Sequence, residues 1–403
     1  MHNPNARPGY KWTKLGWVPV EWEVVKLSKL FEIKHGFAFK SEYFSSEGSF
    51  VVTTPGHFYA VGGFRRRSNY EKRYSGEFPK EYILKKGDLI VAMTEQGPGL
   101  LGSTAKIPYD NLYLHNQRLG LIENIAEMLL DKDYLYYALN SRAIRENVAK
   151  ESSGTKVKHT SPKGILKLQI LLPPLPEQQK IAQILSTWDR AIALTRQLIA
   201  AKEEQKKGLM QRLLTGKVRV RGFLGEWEWK KLFEVCQISK GEQLNRAELE
   251  KDASYPAYSG GVQPSGYTSK WNTHENTIAI SEGGNSCGFV NFIRTKFWRG
   301  GHCYALLNIH ETLNASFLFY FLKSKERRIM SLRVGSGLPN IQKKDLSNFK
   351  LLFPEYPEQI AIANILTKSD EEIDLLKAEL EALQKQKQGL MQQLLTGKKR
   401  VRV

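Results

Sequence analysis

The chain contains one segment twice. Residues 154–221 and 335–402 align without a gap, from Gly154 to Arg221 and from Gly335 to Arg402. Each copy holds the run Pro-Glu-Gln-x-x-Ile-Ala-x-Ile-Leu, starting at Pro176 and at Pro357. Each finishes Gly-Leu-Met-Gln-x-Leu-Leu-Thr-Gly-Lys, starting at Gly208 and at Gly389. About half the positions from the Pro-Glu-Gln onward are identical. A second, weaker repeat opens each half: Glu21-Trp22-Glu23 with Lys26-Leu27 and Gly36 matches Glu226-Trp227-Glu228 with Lys231-Leu232 and Gly241. The interiors, roughly 37–153 and 242–334, differ in length and show little identity. The expected architecture is a duplicated, pseudo-two-fold frame carrying two different inserts.

The repeated segment reads as a long helix with a seam. Apolar and long-stemmed residues step by four and three: Ile181, Leu185, Trp188, Ile192, Thr195, Ile199, Lys202, Lys206, Leu209, Leu213. The second copy runs Ile362, Leu366, Ser369, Ile373, Leu376, Leu380, Leu383, Lys387, Leu390, Leu394. A heptad kept for this long predicts packing against a partner helix rather than a lone amphipathic helix. Pro176 and Pro357 suit a first helical turn, Glu177 and Glu358 complement its dipole, and Gly216 and Gly397 stand where a left-handed C-terminal residue is wanted. At ~1.5 Å per residue such a helix spans roughly 60 Å. The two helices are expected to pack antiparallel. Gly208 and Gly389, inside the helices, suggest close approach of another backbone, with a tolerated kink as the alternative.

Charge narrows the class of partner. Lys and Arg number 60 against 41 for Asp and Glu, a net charge of +19. An excess of one sign this large implies a polyanionic partner, bound through counterion release. No apolar run reaches membrane-spanning length and no signal-peptide core opens the chain, so no membrane association and a cytoplasmic location are expected. Cys236, Cys287 and Cys303 lack metal-ligand spacing and read as free core thiols.

Each insert reads as short strands with glycine-rich turns, closed by an amphipathic helix. Asp88–Met93 and Thr277–Ser281 look like buried strands running into Glu95-Gln-Gly and Glu282-Gly-Gly-Asn-Ser loops. The closing helices, Tyr134–Ser141 and Phe317–Ser324, echo each other and carry core aromatics. Outside these elements lie the candidate contacts to nucleic acid. In the first insert they are Arg65, Arg66, Arg67, Lys72 and Arg73, suited to phosphate oxygens, and Asn116, Gln117 and Arg118, the side chains best able to form bidentate bonds to base edges. In the second they are Tyr258, Ser259, Tyr267, Thr268, Asn285, Arg299 and His302, in or beside tight turns. A plain turn or surface role is the alternative for any one of them.

The paired Pro-Glu-Gln helices, the Trp-Glu-x-x-x-Leu openings and the Tyr255-Pro-Ala-Tyr-Ser-Gly-Gly261 run together resemble the specificity subunit of type I restriction-modification systems, over essentially the whole chain. The resemblance implies an α/β chain of the α+β kind: two globular target-recognition domains separated by two long antiparallel coiled-coil helices. It divides the chain into recognition domains at 1–160 and 222–340 and helical spacers at 161–221 and 341–403. It implies double-stranded DNA, two modification (methyltransferase) subunits and restriction subunits as partners, each recognition domain reading one half of a bipartite, asymmetric target. The chain lacks an Asn/Asp-Pro-Pro-Tyr/Phe methyltransferase motif, a GxxxxGK[ST] phosphate loop and a Pro-Asp…Glu-x-Lys nuclease signature. No enzymatic activity and no cofactor are therefore expected of it alone; S-adenosylmethionine, Mg²⁺ and ATP would belong to the partners. The competing readings are a stand-alone DNA-modifying enzyme and a coiled-coil adaptor that binds DNA without reading it.

Overall fold

The structure, a computed structural model, describes residues 7–66, 71–154, 157–335, 337 and 339–403. The chain folds as two compact units, one from Met1–Leu194 with Leu380–Val403, the other from Thr195–Glu379. Each unit thus takes one insert together with parts of both long helices, which run Leu175–Leu213 and Tyr356–Leu394.

In the first unit the opening repeat supplies the strand Glu23–Lys26, which pairs antiparallel with Gln169–Leu172 just ahead of the first long helix. The insert is built on a four-stranded antiparallel sheet in the order Glu32–His35, Leu119–Glu123, Leu89–Ala92, Thr104–Lys106. Leu89–Ala92 is buried at all four positions, as its continuous apolar run predicts. A second sheet joins Tyr113–His115 parallel to Phe50–Thr53. Gly36 turns the chain between them; a Cβ there would lie 2.0 Å from the Asn116 carbonyl oxygen, so only glycine fits.

The second unit repeats this plan with different residues. Glu228–Lys231 pairs with Lys350–Phe353. Its main sheet runs Gln237–Lys240, Cys303–Leu307, Thr277–Ser281, Val290–Ile293, the same order and the same antiparallel sense as the first. The second sheet again contains one parallel pair, Tyr255–Tyr258 with Trp298–Arg299. Gly241 occupies the place of Gly36, its Cβ position 2.3 Å from the carbonyl oxygens of Arg299 and Gly300. Inserts without recognisable identity therefore share one topology.

The Pro-Glu-Gln motif acquires a structural meaning in both units. Gln178 and Gln359 are fully buried. Gln178 donates to the carbonyls of Pro173 and Leu129 and accepts from the Asp131 N–H at 2.9 Å. Gln359 donates to the carbonyls of Pro354 and Thr312 and accepts from the Asn314 N–H at 2.8 Å. Asp131 and Asn314 are the N-caps of the closing helices Lys132–Leu139 and Ala315–Ser324. Each glutamine thus ties the start of a long helix to the start of a closing helix. A buried amide so fully bonded is costly to replace, because its partners would be left unsatisfied.

The carboxylates of the motif meet arginines from the end of the other repeat copy. Glu177 accepts two hydrogen bonds from Arg400 in the first unit, and Glu358 accepts two from Arg219 in the second. Deeper in each helix pair stand Asp189 with Lys387, and Asp370 with Lys206. Tyr137 donates to Asp189 at 2.8 Å and Tyr320 to Asp370 at 2.7 Å. Burial, with the carboxylate close by, pushes both phenols above the ordinary tyrosine range, which keeps them as neutral donors.

Within each unit the helices run antiparallel: Glu203 pairs with Lys377 while Lys206, further on, pairs with Asp370, further back. Every seam position expected from the sequence is buried or half-buried. Gly216 and Gly397 end the helices in the left-handed region, both at φ +69°. Gly208 and Gly389 correct the expectation of a close backbone, since a Cβ at either would meet no atom within 4 Å.

The core of the first unit gathers Val18, Trp22 and Leu27 with Ile181, Leu185 and Leu394; that of the second gathers Leu232, Phe317 and Ile341 with Leu213, Ile362 and Leu366. Each such side chain contributes about 1.5–3 kcal/mol by leaving water. Cys236, Cys287 and Cys303 are free and buried. Among the described residues no helix is long and apolar enough to cross a membrane, and no His, Cys, Asp and Glu group could hold a metal ion.

Candidate nucleic-acid interface

In the first unit the candidate edge is the rim where the strands Leu89–Ala92 and Leu119–Glu123 meet their loops. The chain leaves Leu89–Ala92 through Met93 and Thr94 into the exposed turn Glu95–Gly99. An open cleft of about 940 Å³ lies there, lined by this turn with Arg118, Val157 and His159. Thr94 Oγ1 lies 3.2 Å from His159 Nδ1, and the Glu95 carboxylate accepts the Gly99 N–H across the turn.

Arg145, from the helix Arg142–Lys150, clamps that turn from beneath. Its guanidinium donates to the carbonyls of Leu101, Ala60 and Gly99, fixing two loops at once. Burial pushes it down to about 10, still high enough to stay charged at neutral pH.

The sequence candidates divide between surface and interior. Arg65, Arg66, Lys72, Gln117 and Arg118 are exposed, and Arg66 stacks 5.8 Å from the Tyr109 ring. Arg67 lies outside the described residues. Arg73 is half-buried and donates to the Gly48 carbonyl. Asn116 is 7% exposed, and its side-chain oxygen accepts the Arg118 N–H at 3.0 Å, shaping the turn that presents Arg118.

In the second unit Asn285, His302 and Tyr267 are exposed, Tyr258 and Ser259 are half-buried, and Thr268 is 1% exposed. Arg299 is 9% exposed and donates to the Ser239 carbonyl. Its place in the first unit is taken by His115, whose ring burial pushes down to about 4 while the Leu119 carbonyl opposes the shift.

Sequence reasoning missed Gln96, His159 and Arg145 in the first unit and Glu282, Lys240 and Tyr304 in the second. The one available signal was the position of Glu95-Gln96 and Glu282 directly after buried strands, where a chain emerges at a sheet edge.

A duplicated frame thus carries two like sheets, their edges rimmed by different polar residues. The profile of the type I restriction modification DNA specificity domain matches residues 19–203 and 225–385, and the chain belongs to that family. It is 26% identical to the type I restriction enzyme MjaVIII specificity subunit of Methanocaldococcus jannaschii, across 96% of this chain and 94% of that one. It is 32% identical to the EcoBI specificity subunit of Escherichia coli over 41% of this chain and 32% of that one. The fold is similar to that of the type I restriction-modification S subunit from M. genitalium, with a TM-score of 0.64 at 20% identity over 93% of this chain and 96% of that one.

Proposed function

We propose that this chain is the DNA-reading subunit of a type I restriction-modification complex, in which each recognition domain, 1–160 and 222–340, reads one half of a bipartite, asymmetric site in double-stranded DNA. The observation that carries this reading is one sheet built twice, with different exposed residues at its edge. Arg65, Arg66 and Lys72 meet phosphates, and Gln117, Arg118, Tyr267, Asn285 and His302 lie where base edges would come. Arg73, Asn116, Thr268 and Arg299 support those surfaces from inside.

The helical spacers, 161–221 and 341–403, dock two modification subunits, and restriction subunits join that assembly in the cytoplasm. The chain itself catalyses nothing and holds no cofactor.

Methylation mapping in cells making the modification subunits with and without this chain tests the reading. One two-part motif, methylated only when the chain is present, is expected. Methylation that is unchanged without it, or DNA cleavage or methylation by the purified chain alone, would overturn the proposal.

A further inference from the structure

Arg118 and His302 occupy one backbone position in the two units. The Arg118 carbonyl accepts the Met93 N–H, and the His302 carbonyl accepts the Glu282 N–H, both at 2.9 Å. One step on, the carbonyls of Met93 and Glu282 accept the N–H groups of Thr160 and Ile341. Strand register completes the correspondence: Gly120 faces His35 and Val91, as Tyr304 faces Lys240 and Ile280. Lys240, Glu282 and Tyr304 therefore stand where the first unit has His35, Met93 and Gly120.

What lies under the exposed side chain differs accordingly. Under Arg118 is an apolar residue, Met93, 2% exposed. Under His302 is a carboxylate, Glu282, 6% exposed. Glu282 Oε1 accepts from Lys240 Nζ at 2.6 Å and from the Tyr304 hydroxyl at 3.2 Å. Its Oε2 has no hydrogen-bond partner and lies 3.5 Å from His302 Nδ1. A buried carboxylate oxygen without a donor is costly, so this one is aimed at the imidazole for a reason. A neutral ring with Nδ1–H turned toward the carboxylate presents Nε2 outward as an acceptor.

We propose that position 118/302 is a shared base-reading position. Glu282 is a positioning residue that makes His302 Nε2 an acceptor for the exocyclic amino group of adenine or cytosine, while Arg118 takes the O6 and N7 acceptors of guanine. This inference rests on the DNA-reading function proposed above.

The test uses the full-length chain with its modification subunits, read by genome-wide methylation mapping. R118A relaxes one guanine position in one half-site, and H302A relaxes one adenine or cytosine position in the other, each by about ten- to a hundredfold. E282A relaxes the position that H302A does and no other; E282Q, whose amide oxygen stays with Lys240 and Tyr304 and whose amide N–H faces Nδ1, turns the ring to the Nε2–H tautomer and relaxes the same position. Nitrogen-15 NMR of the His302 ring gives a readout that packing alone would not move: the Nδ1–H tautomer in the parent chain, lost in E282A and replaced by Nε2–H in E282Q.

H302A with every position intact, relaxation of the same half-site by R118A and H302A, or an Nε2–H tautomer in the parent chain would each overturn the inference. Because His302 is exposed, H302A decides the matter even if E282A fails to fold. A parent chain that directs no motif would sink the DNA-reading function itself; a sharp motif untouched by H302A would sink only this inference.

Discussion

In the first unit the strand Leu89–Ala92 runs on into buried Met93, above Gly120; in the second, Thr277–Ser281 runs on into buried Glu282, held by Lys240 and Tyr304. The sheets share strand order and pairing, yet one rim rests on an apolar contact and the other on a charged network. The frame shows the opposite behaviour, with Glu177–Arg400 and Glu358–Arg219, and Asp189–Lys387 and Asp370–Lys206, repeated residue for residue. Sheet topology follows from apolar burial, which many sequences satisfy, whereas a polar cluster in the core works only with its own partners present. Rims can diverge over a conserved topology; the frame's ion pairs can be kept only as sets.

One asymmetry of the frame gives the largest expected effect. Trp22 is fully buried and donates its indole N–H to Glu177 at 2.9 Å, whereas Trp227 is half-buried and its indole nitrogen finds no partner among the described residues. Trp22→Ala should cost about 4 kcal/mol and Trp227→Ala about half of that. Denaturant titration followed by hydrogen exchange resolved to each unit would check it, and equal losses would erase the asymmetry.

Acid should separate the units next. His115, buried in the first unit, has its pKa lowered from 6.5 to about 4, while Arg299 takes its place in the second. Between these values the unfolded chain binds the proton and the folded one does not. Stability is therefore complete above about pH 6.5 and falls as pH drops toward 4, by about 3 kcal/mol in all. His115→Gln should flatten the acid loss in the first unit alone. A second unit that weakens over the same window to the same degree would break the comparison.

Gly208 and Gly389 have open space around them, so Gly208→Ala and Gly389→Ala should each raise stability by up to about 1 kcal/mol, equally in the two copies. A loss at either, in thermal unfolding, would reveal a neighbour that the fold does not show. Last, double-mutant cycles on Asp189–Lys387 and Asp370–Lys206 should return couplings of about 0.5–1 kcal/mol, alike in sign and size, since both pairs are partly buried to a similar degree. Couplings of opposite sign would mean that the mirrored geometry is not mirrored in energy.

The frame was legible in the sequence because helix periodicity and caps are local. The heptad positions from Ile181 to Leu213 and from Ile362 to Leu394 face inward, and Gly216 and Gly397 take the left-handed conformation expected of them. The rims were less legible. Asn116, Gln117 and Arg118 read alike as base-reading types, yet only Asn116 is drawn inside, because its side chain caps the turn. Residues 37–153 and 242–334 share too little identity for one to be aligned with the other by sequence.

The sequence by itself determined the duplication, the two long helices with their seam and caps, the positive charge and the family. Those features reside in residue spacing of three and four, in gap-free repetition and in composition. Only the tertiary structure decided that Arg118 matches His302 and that Met93 matches Glu282. Such equivalences arise when strands distant in sequence are brought into register by hydrogen bonds and burial, and no local pattern encodes which residue a strand will face.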